Sequence, residues 1–535
     1  MSLRGAPYLL ALAVLLPFLG KAFHIDDALF IYVAGYIRAH PFAYPFPPGI
    51  LHANPPGQFW FVALGTALFG ESEPLLHLFG LPLIFAALWG MTKLAEELQA
   101  PGPLSALLLV CNACFVVSAS TLMPDAHMLG LLLPALALLW WDAREPSPGK
   151  LALATLLFAL GWTLRTNGLP VLLLAGAVQL AKKNRRALLP VAATLGSALL
   201  WNLWTRAENP GLLAFTGRLV GEGLPTARFR LFSLGIALCT CTLVPLLFAL
   251  LTPAAWLERA GILLVFVSLG PVPRSRTIAL CGLGLLALGL LLRVRRGRAL
   301  KNPDDLFLIL WALGGFAVPV LYNAFSPKFL NLSVPPLILL VLRHAKPAPR
   351  RTLAAAAVGL ACALGIGVAD LHYAGALRDA TLGLAERAQQ LAQGHTAWLA
   401  SHKWGAWVYA RQAGLRTADV LYPPEELQGQ PNTLASLRPG DVVIDLAWPG
   451  EMDVPRKAFA FLEAHRVDDA FPLRVMESGA GYWSTGWGDF PVVWSRSPQT
   501  VARLFRVVSA DFRRRDGTPF PRPPEPSPPY IPLRW

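Results

Sequence analysis

Apolar residues in this chain are bunched into long runs separated by short polar stretches, and the runs are far too long for strands. Stretches such as Leu151–Leu164, Leu231–Leu251, Thr277–Leu292, Leu306–Phe325 and Thr352–Val368 carry almost no charge. A helix needs roughly 20 mostly apolar residues to cross a bilayer. Read on that scale, the pattern predicts crossings near 7–23, 75–94, 103–120, 126–142, 150–165, 168–181, 187–204, 231–251, 260–272, 276–292, 305–324, 329–343 and 352–371. Past Asp370 the apolar pattern stops, and the rest reads as water-soluble sequence with alternating segments that fit strands and short helices. The first run ends in Lys21 without a small-x-small cleavage site and is read as an uncleaved span.

Composition agrees. Of the 535 residues, 55% are hydrophobic and only 15% charged, where a soluble protein of this size would be near a quarter charged. The fold class expected is therefore a polytopic α-helical membrane protein of about 13 transmembrane helices with a small α/β C-terminal domain. The expected division is 1–371 for the membrane domain, with a first outer loop at 24–74, then 372–510 for the soluble domain and 511–535 for a proline-rich tail.

The net charge of +14 does not point to nucleic acid, because the basic residues sit in short loops between apolar runs. Lys182 to Arg186, Arg293 to Lys301 and Arg343 to Arg351 contain no acid, which places all three in the cytoplasm by the positive-inside rule. The run 260–272 is short enough to be a re-entrant segment, but parity argues for a crossing, since without it 293–301 would face the side opposite 182–186. The C-terminal domain falls outside the membrane, and the localisation expected is a bacterial inner membrane.

This orientation sorts the polar residues. Facing outside are His24-Ile25-Asp26-Asp27, the first loop with His52 and Asn54, the Pro124-Asp125 turn, Arg165-Thr166-Asn167, Arg218, Arg228, Arg230, Arg274, Arg276 and Lys328. For a single Arg or Lys at a span end, the ordinary expectation is snorkelling to the headgroups. The adjacent acids Asp26 and Asp27 cannot do that. Two carboxylates held close push one pKa upward, which suits a general base.

Several motifs occur in order. Asn54-Pro55-Pro56-Gly57-Gln58-Phe59-Trp60 follows the acid pair, and Phe69-Gly70-Glu71-Ser72-Glu73 leads into the second span. Met123-Pro124-Asp125-Ala126, Thr166-Asn167-Gly168 and Pro327-Lys328-Phe329 with Pro335-Pro336 come later. This set resembles the GT-C glycosyltransferases related to protein O-mannosyltransferases and the lipid A aminoarabinose transferase. Trp404–Leu415 and Leu437–Val443 are similar to outer domains of bacterial members. The chain departs at Asp27 (usually Glu), Asn54 (Lys in the aminoarabinose transferase), Phe329 (Tyr) and Asn167 (Lys), changes that bear on the donor more than on the reaction.

The resemblance implies transfer of a sugar from a polyprenyl-phosphate donor to a glycolipid, polysaccharide or protein acceptor, with inversion. Asp26 would deprotonate the acceptor hydroxyl and Asp27 would bind acceptor or metal. Asp125 would orient the donor or help hold a metal. Lys328 is the leading phosphate-binding cation by resemblance, with Arg165, Arg218, Arg228 and Arg274 as further candidates. Some relatives bind a divalent metal; His52 and Asn54 are candidates for acceptor or metal. The chain has no Gly-rich phosphate loop of the strand-turn-helix kind, in keeping with a lipid-linked rather than nucleotide donor. The six cysteines all lie in apolar runs, and Cys111-Asn112-Ala113-Cys114 is read as packing rather than redox chemistry. The other class of function compatible with these features is a non-catalytic or flippase-like protein that binds lipid-linked sugars.

Overall fold

The computed structural model describes residues 4–23, 26–46, 54–208, 302–321, 327–345, 349–400, 405–418, 438–447 and 501–507. The expected spans 231–251, 260–272 and 276–292, the loop 293–301 and residues His52, Arg218, Arg228, Arg230, Arg274 and Arg276 lie outside them. The described residues are mostly helical and divide into two compact units. One comprises Met1–Lys21 and Phe30–Leu371; the other comprises Ala22–Leu29 and the described residues from His372 onward.

In the first unit the helices are α1 (Ala6–Leu15), α2 (Asp27–Ala39), α3 (Gly57–Phe69), α4 (Glu73–Glu97), α5 (Gly102–Val110), α6 (Ala113–Ala119) and α7 (Pro124–Arg144). They continue with α8 (Pro148–Gly161), α9 (Gly168–Ala181), α10 (Leu188–Glu208), α11 (Pro303–Leu321), α12 (Val334–Ala345) and the start of α13 (Pro349–Ala392). A 3-10 segment, Pro327–Leu332, precedes α12. Among the described residues, four helices are long and apolar enough to cross a membrane, or five if α5 and α6 form one broken span.

Helix α7 is the centre of this unit, buried along most of its length and packed against α4. The two backbones meet where one helix or the other carries a glycine. A Cβ on Gly130 would lie 2.3 Å from the Leu83 carbonyl oxygen, and one on Gly90 would lie 2.4 Å from the Pro134 nitrogen. Without a hydrophobic drive between helices in lipid, close approach through small residues is the main source of packing energy.

The run expected as one crossing at 103–120 is instead bent by 68° between α5 and α6. The cause is local. Asn112 is extended, and its side-chain oxygen accepts from the Cys114 amide at 3.0 Å, capping α6 and ending α5 at Cys111. Cys111 and Cys114 are buried on either side of that break.

The apolar pattern ends at Asp370, but α13 runs on to Ala392. Beyond Leu371 it is amphipathic rather than apolar. Leu377, Leu384, Ala385, Ala388 and Ala392 recur at helical spacing and enter the core of the second unit. There they meet a sheet of order β2-β1-β3-β4, formed by β1 (Ala397–Ala400), β2 (Arg416–Ala418), β3 (Val442–Ala447) and β4 (Val501–Arg506). β1 is parallel to β2 and β3, and β4 is antiparallel to β3. Helix α14 (Gly405–Gln412) connects β1 to β2. Val442, Ile444 and Leu446 alternate into the core with Leu399 and Leu504. Asp441 is a buried structural anchor: it accepts from the Thr396 amide (3.0 Å), the Arg438 amide (2.9 Å) and the Trp398 indole (3.2 Å).

Candidate functional site

The turn that begins α7 follows directly from its sequence. Met123 is extended because it precedes a proline, Pro124 fits the first helical turn where no amide bond is needed, and Asp125 follows at the positive end of the helix. Asp125 is thereby fixed on a buried element, and its carboxylate lies 2.6 Å from Arg165 Nη1. Both side chains are withdrawn from solvent, at 2% and 8% exposure.

Arg165 comes from the turn between α8 and α9, which closes by the Gly168 amide donating to the Arg165 carbonyl (3.1 Å) and the Leu169 amide to that of Thr166 (3.0 Å). Its guanidinium stacks 4.7 Å from the Phe329 ring centroid. The neighbouring Lys328 places Nζ 3.4 Å from the Met123 sulfur and 5.8 Å from the same ring. Phe329, the departure from Tyr, thus forms an apolar wall behind two cations.

A third motif closes the cluster. The Gly57 amide donates to the Thr163 carbonyl at 3.0 Å, and a Cβ on Gly57 would lie 2.4 Å from the Thr163 hydroxyl, so only glycine lets α3 come this close. Gln58 then donates to the Leu122 carbonyl (2.5 Å) and lies 3.0 Å from His127 Nδ1. Four motifs far apart in sequence therefore meet at one end of α7: 55–58, 122–127, 163–168 and 327–329.

The expectation of snorkelling fails for Arg165, which turns inward because Asp125 and Phe329 supply better partners than the headgroup layer. It fails for Lys21 too. Lys21 is fully buried, ion-paired with Asp370 on α13 and 3.4 Å from the Ser120 hydroxyl. Composition gives no sign of that pairing, since each residue closes an apolar run. His127 is a core side chain held between Gln58 and the Phe61 ring, 5.4 Å away.

Asp26 and Asp27 lie on the Ala22–Leu29 segment of the second unit, where the Phe23 amide donates to the Tyr409 hydroxyl on α14 (2.6 Å). Asp27 is buried in the first turn of α2, and Asp26 is half-buried just before it. Asp125 and Lys328 belong to the first unit. Asn54 is half-buried ahead of α3. Among the described residues no group of three or more His, Cys, Asp or Glu side chains gathers as metal ligands.

The fold class these features define is a multi-span helical membrane protein with an ion-paired cluster at one end of its central helix. Among solved structures, it is shared with ArnT from Cupriavidus metallidurans. The apo crystal structure of that protein aligns with TM-score 0.52 at 14% identity, over 93% of this chain and 97% of the other. The structure bound to undecaprenyl phosphate aligns with TM-score 0.51 at 13% identity over the same shares. No family model and no curated protein matches the sequence.

Proposed function

We propose that the protein is a GT-C membrane glycosyltransferase that transfers a sugar from a polyprenyl-phosphate donor to an acceptor on the outer face of the inner membrane, with inversion. The observation that carries this reading is the meeting of Asp125, Arg165, Lys328 and Phe329 at one end of α7. It is supported by the fold shared with ArnT, which has been crystallised with undecaprenyl phosphate.

The chemistry is a single displacement. The acceptor hydroxyl oxygen attacks the anomeric carbon from the face opposite the phosphate, and the bond from that carbon to the phosphate oxygen breaks. The hydroxyl proton goes to Asp26, while Asp27 binds the acceptor with His52 and Asn54. Negative charge grows on the departing polyprenyl phosphate, and Arg165 and Lys328 stabilise it where it develops. Arg218, Arg228 and Arg274 supply further positive charge at the outer headgroup level. Residues 1–371 form the transmembrane catalytic domain, with 372–510 and the tail 511–535 on the outer side of a multi-pass protein.

The test is incubation of the purified protein with undecaprenyl-phosphate sugars and membrane extract, following release of undecaprenyl phosphate. Release is expected from the wild type, with Asp26→Asn reduced to background at unchanged thermal stability. Full transfer by that variant would overturn the base assignment; no release from any donor would overturn the transferase reading.

A further inference from the structure

The Asp125–Arg165 pair poses a question that phosphate binding alone does not answer: one cation of the cluster, Arg165, is already paired with a buried carboxylate. We infer that Arg165 is a shared cation, held by Asp125 in the unliganded protein and taken over by the phosphate of a lipid-linked ligand, so that ligand binding and opening of the ion pair are one event. This rests on the proposed polyprenyl-phosphate reading and adds a gate to it.

Three features equip Arg165 for exchange. A guanidinium has five N–H donors in a plane, and its Nε is buried without a hydrogen-bond partner among the described residues. A buried donor left unmade carries a desolvation penalty that a second acceptor removes. The Phe329 ring holds the guanidinium by its face, at 4.7 Å, without consuming a donor, so the group can turn toward a new acceptor and remain supported. Asp125, for its part, sits in the first turn of α7. The positive end of the helix compensates its carboxylate once Arg165 has left.

The monoester product carries about −1.5 to −2, more than the phosphodiester donor, so it displaces Asp125 from Arg165 more fully than the donor does. Asp125 therefore competes with the ligand. A carboxylate that merely oriented the donor or held a metal would instead favour binding.

The experiment measures binding of undecaprenyl phosphate to the full-length protein in nanodiscs by quenching of tryptophan fluorescence, with undecaprenol as the uncharged control. Asp125→Asn is expected to bind about tenfold tighter than wild type, a coupling of ordinary size for linked sites. Arg165→Met should bind at least about tenfold weaker, and the double variant should match Arg165→Met, because the two residues act as one unit. Asp125→Ser, which removes the charge yet suits a first helical turn, serves if Asn does not fold. Binding by the wild type with either Asp125 variant equal or weaker overturns the gate. A wild type that binds undecaprenyl phosphate no better than undecaprenol overturns the polyprenyl-phosphate reading itself.

Discussion

Helix α7 carries an aspartate near each end, Asp125 and Asp142, about 26 Å apart at 1.5 Å per residue, and their surroundings differ in kind. Asp142 accepts two bonds from Arg186 (2.7 and 2.9 Å) and one from the Ser147 amide (2.8 Å). Around it, Lys182 pairs with Asp304 (2.9 Å), Arg343 with Asp305 (3.0 Å) and Arg144 with Glu97 (2.6 Å). Three of the cations there keep contact with water: Arg186 is 39% exposed, Arg144 58% and Lys182 33%. At the other end Asp125 meets Arg165 out of water, with one guanidinium N–H unused among the described residues and an aromatic wall behind it. The basic end spreads its charge over many pairs whose acids come from neighbouring segments, as suits an anchor in a headgroup layer. The Asp125 end concentrates its charge in one buried pair, and charge concentrated out of water is unfavourable enough to point to a site.

The sharpest way to break this contrast is to remove one arginine from each end. Arg165→Met should lower the release of undecaprenyl phosphate by about 10²–10³-fold, the usual loss for a donor aimed at developing charge. Arg186→Gln, at the other end of the same helix, should leave release within about twofold, since Arg186 pairs with Asp142 there, about 26 Å from Asp125 at 1.5 Å per residue. Equal losses in the two variants would show that the ends do not differ in role.

A second test asks whether burial alone makes a pair a site. Lys21 and Asp370 are as deeply buried as Asp125 and Arg165, but they join the chain after α1 to α13. Lys21→Met should destabilise the protein by about 3–5 kcal/mol, because it strands a buried carboxylate. Lys21→Met with Asp370→Leu should recover most of that loss, read as the unfolding temperature in detergent. A single variant as stable as wild type would show that the pair contributes nothing to holding these segments together.

The legible part of this architecture is the part written in periodicity. The runs expected at 75–94, 126–142 and 168–181 correspond to α4, α7 and α9, because an unbroken apolar stretch has few other solutions in a bilayer. The break at Asn112 is hidden from the pattern because one capping side chain scarcely alters the hydropathy of the run around it. The extension of α13 to Ala392 is hidden because its apolar residues narrow to a stripe beyond Leu371. Of the site, Asp125 and Lys328 can be named from motifs, but their link through Arg165 and Phe329 is tertiary. Arg165 reads in the sequence as a span-end arginine, since spacing says nothing of which partner competes with the headgroups. The Gln58–His127 contact has no local signature at all.

The smallest effect sits back at the basic end. Glu145, just past α7, accepts from the Trp141 indole (2.9 Å) and from Lys150 (3.2 Å). Chiefly the indole bond, and then Lys150, hold its carboxyl below the ordinary value of 4.5. A carboxyl depressed in the folded state contributes stability that is fully present above its unfolded value and is lost as pH falls through the folded one. Glu145→Gln should therefore unfold slightly below wild type at pH 7, and the two should converge as the pH drops beneath about 4.5, the range in which an unperturbed Glu titrates. The group is exposed, so the difference should also shrink in high salt. A gap that stayed constant from pH 7 to pH 3 would mean that the amide perturbs packing rather than charge, and the spread of small, screened pairs that sets this end apart from the Asp125 end would lose one of its members.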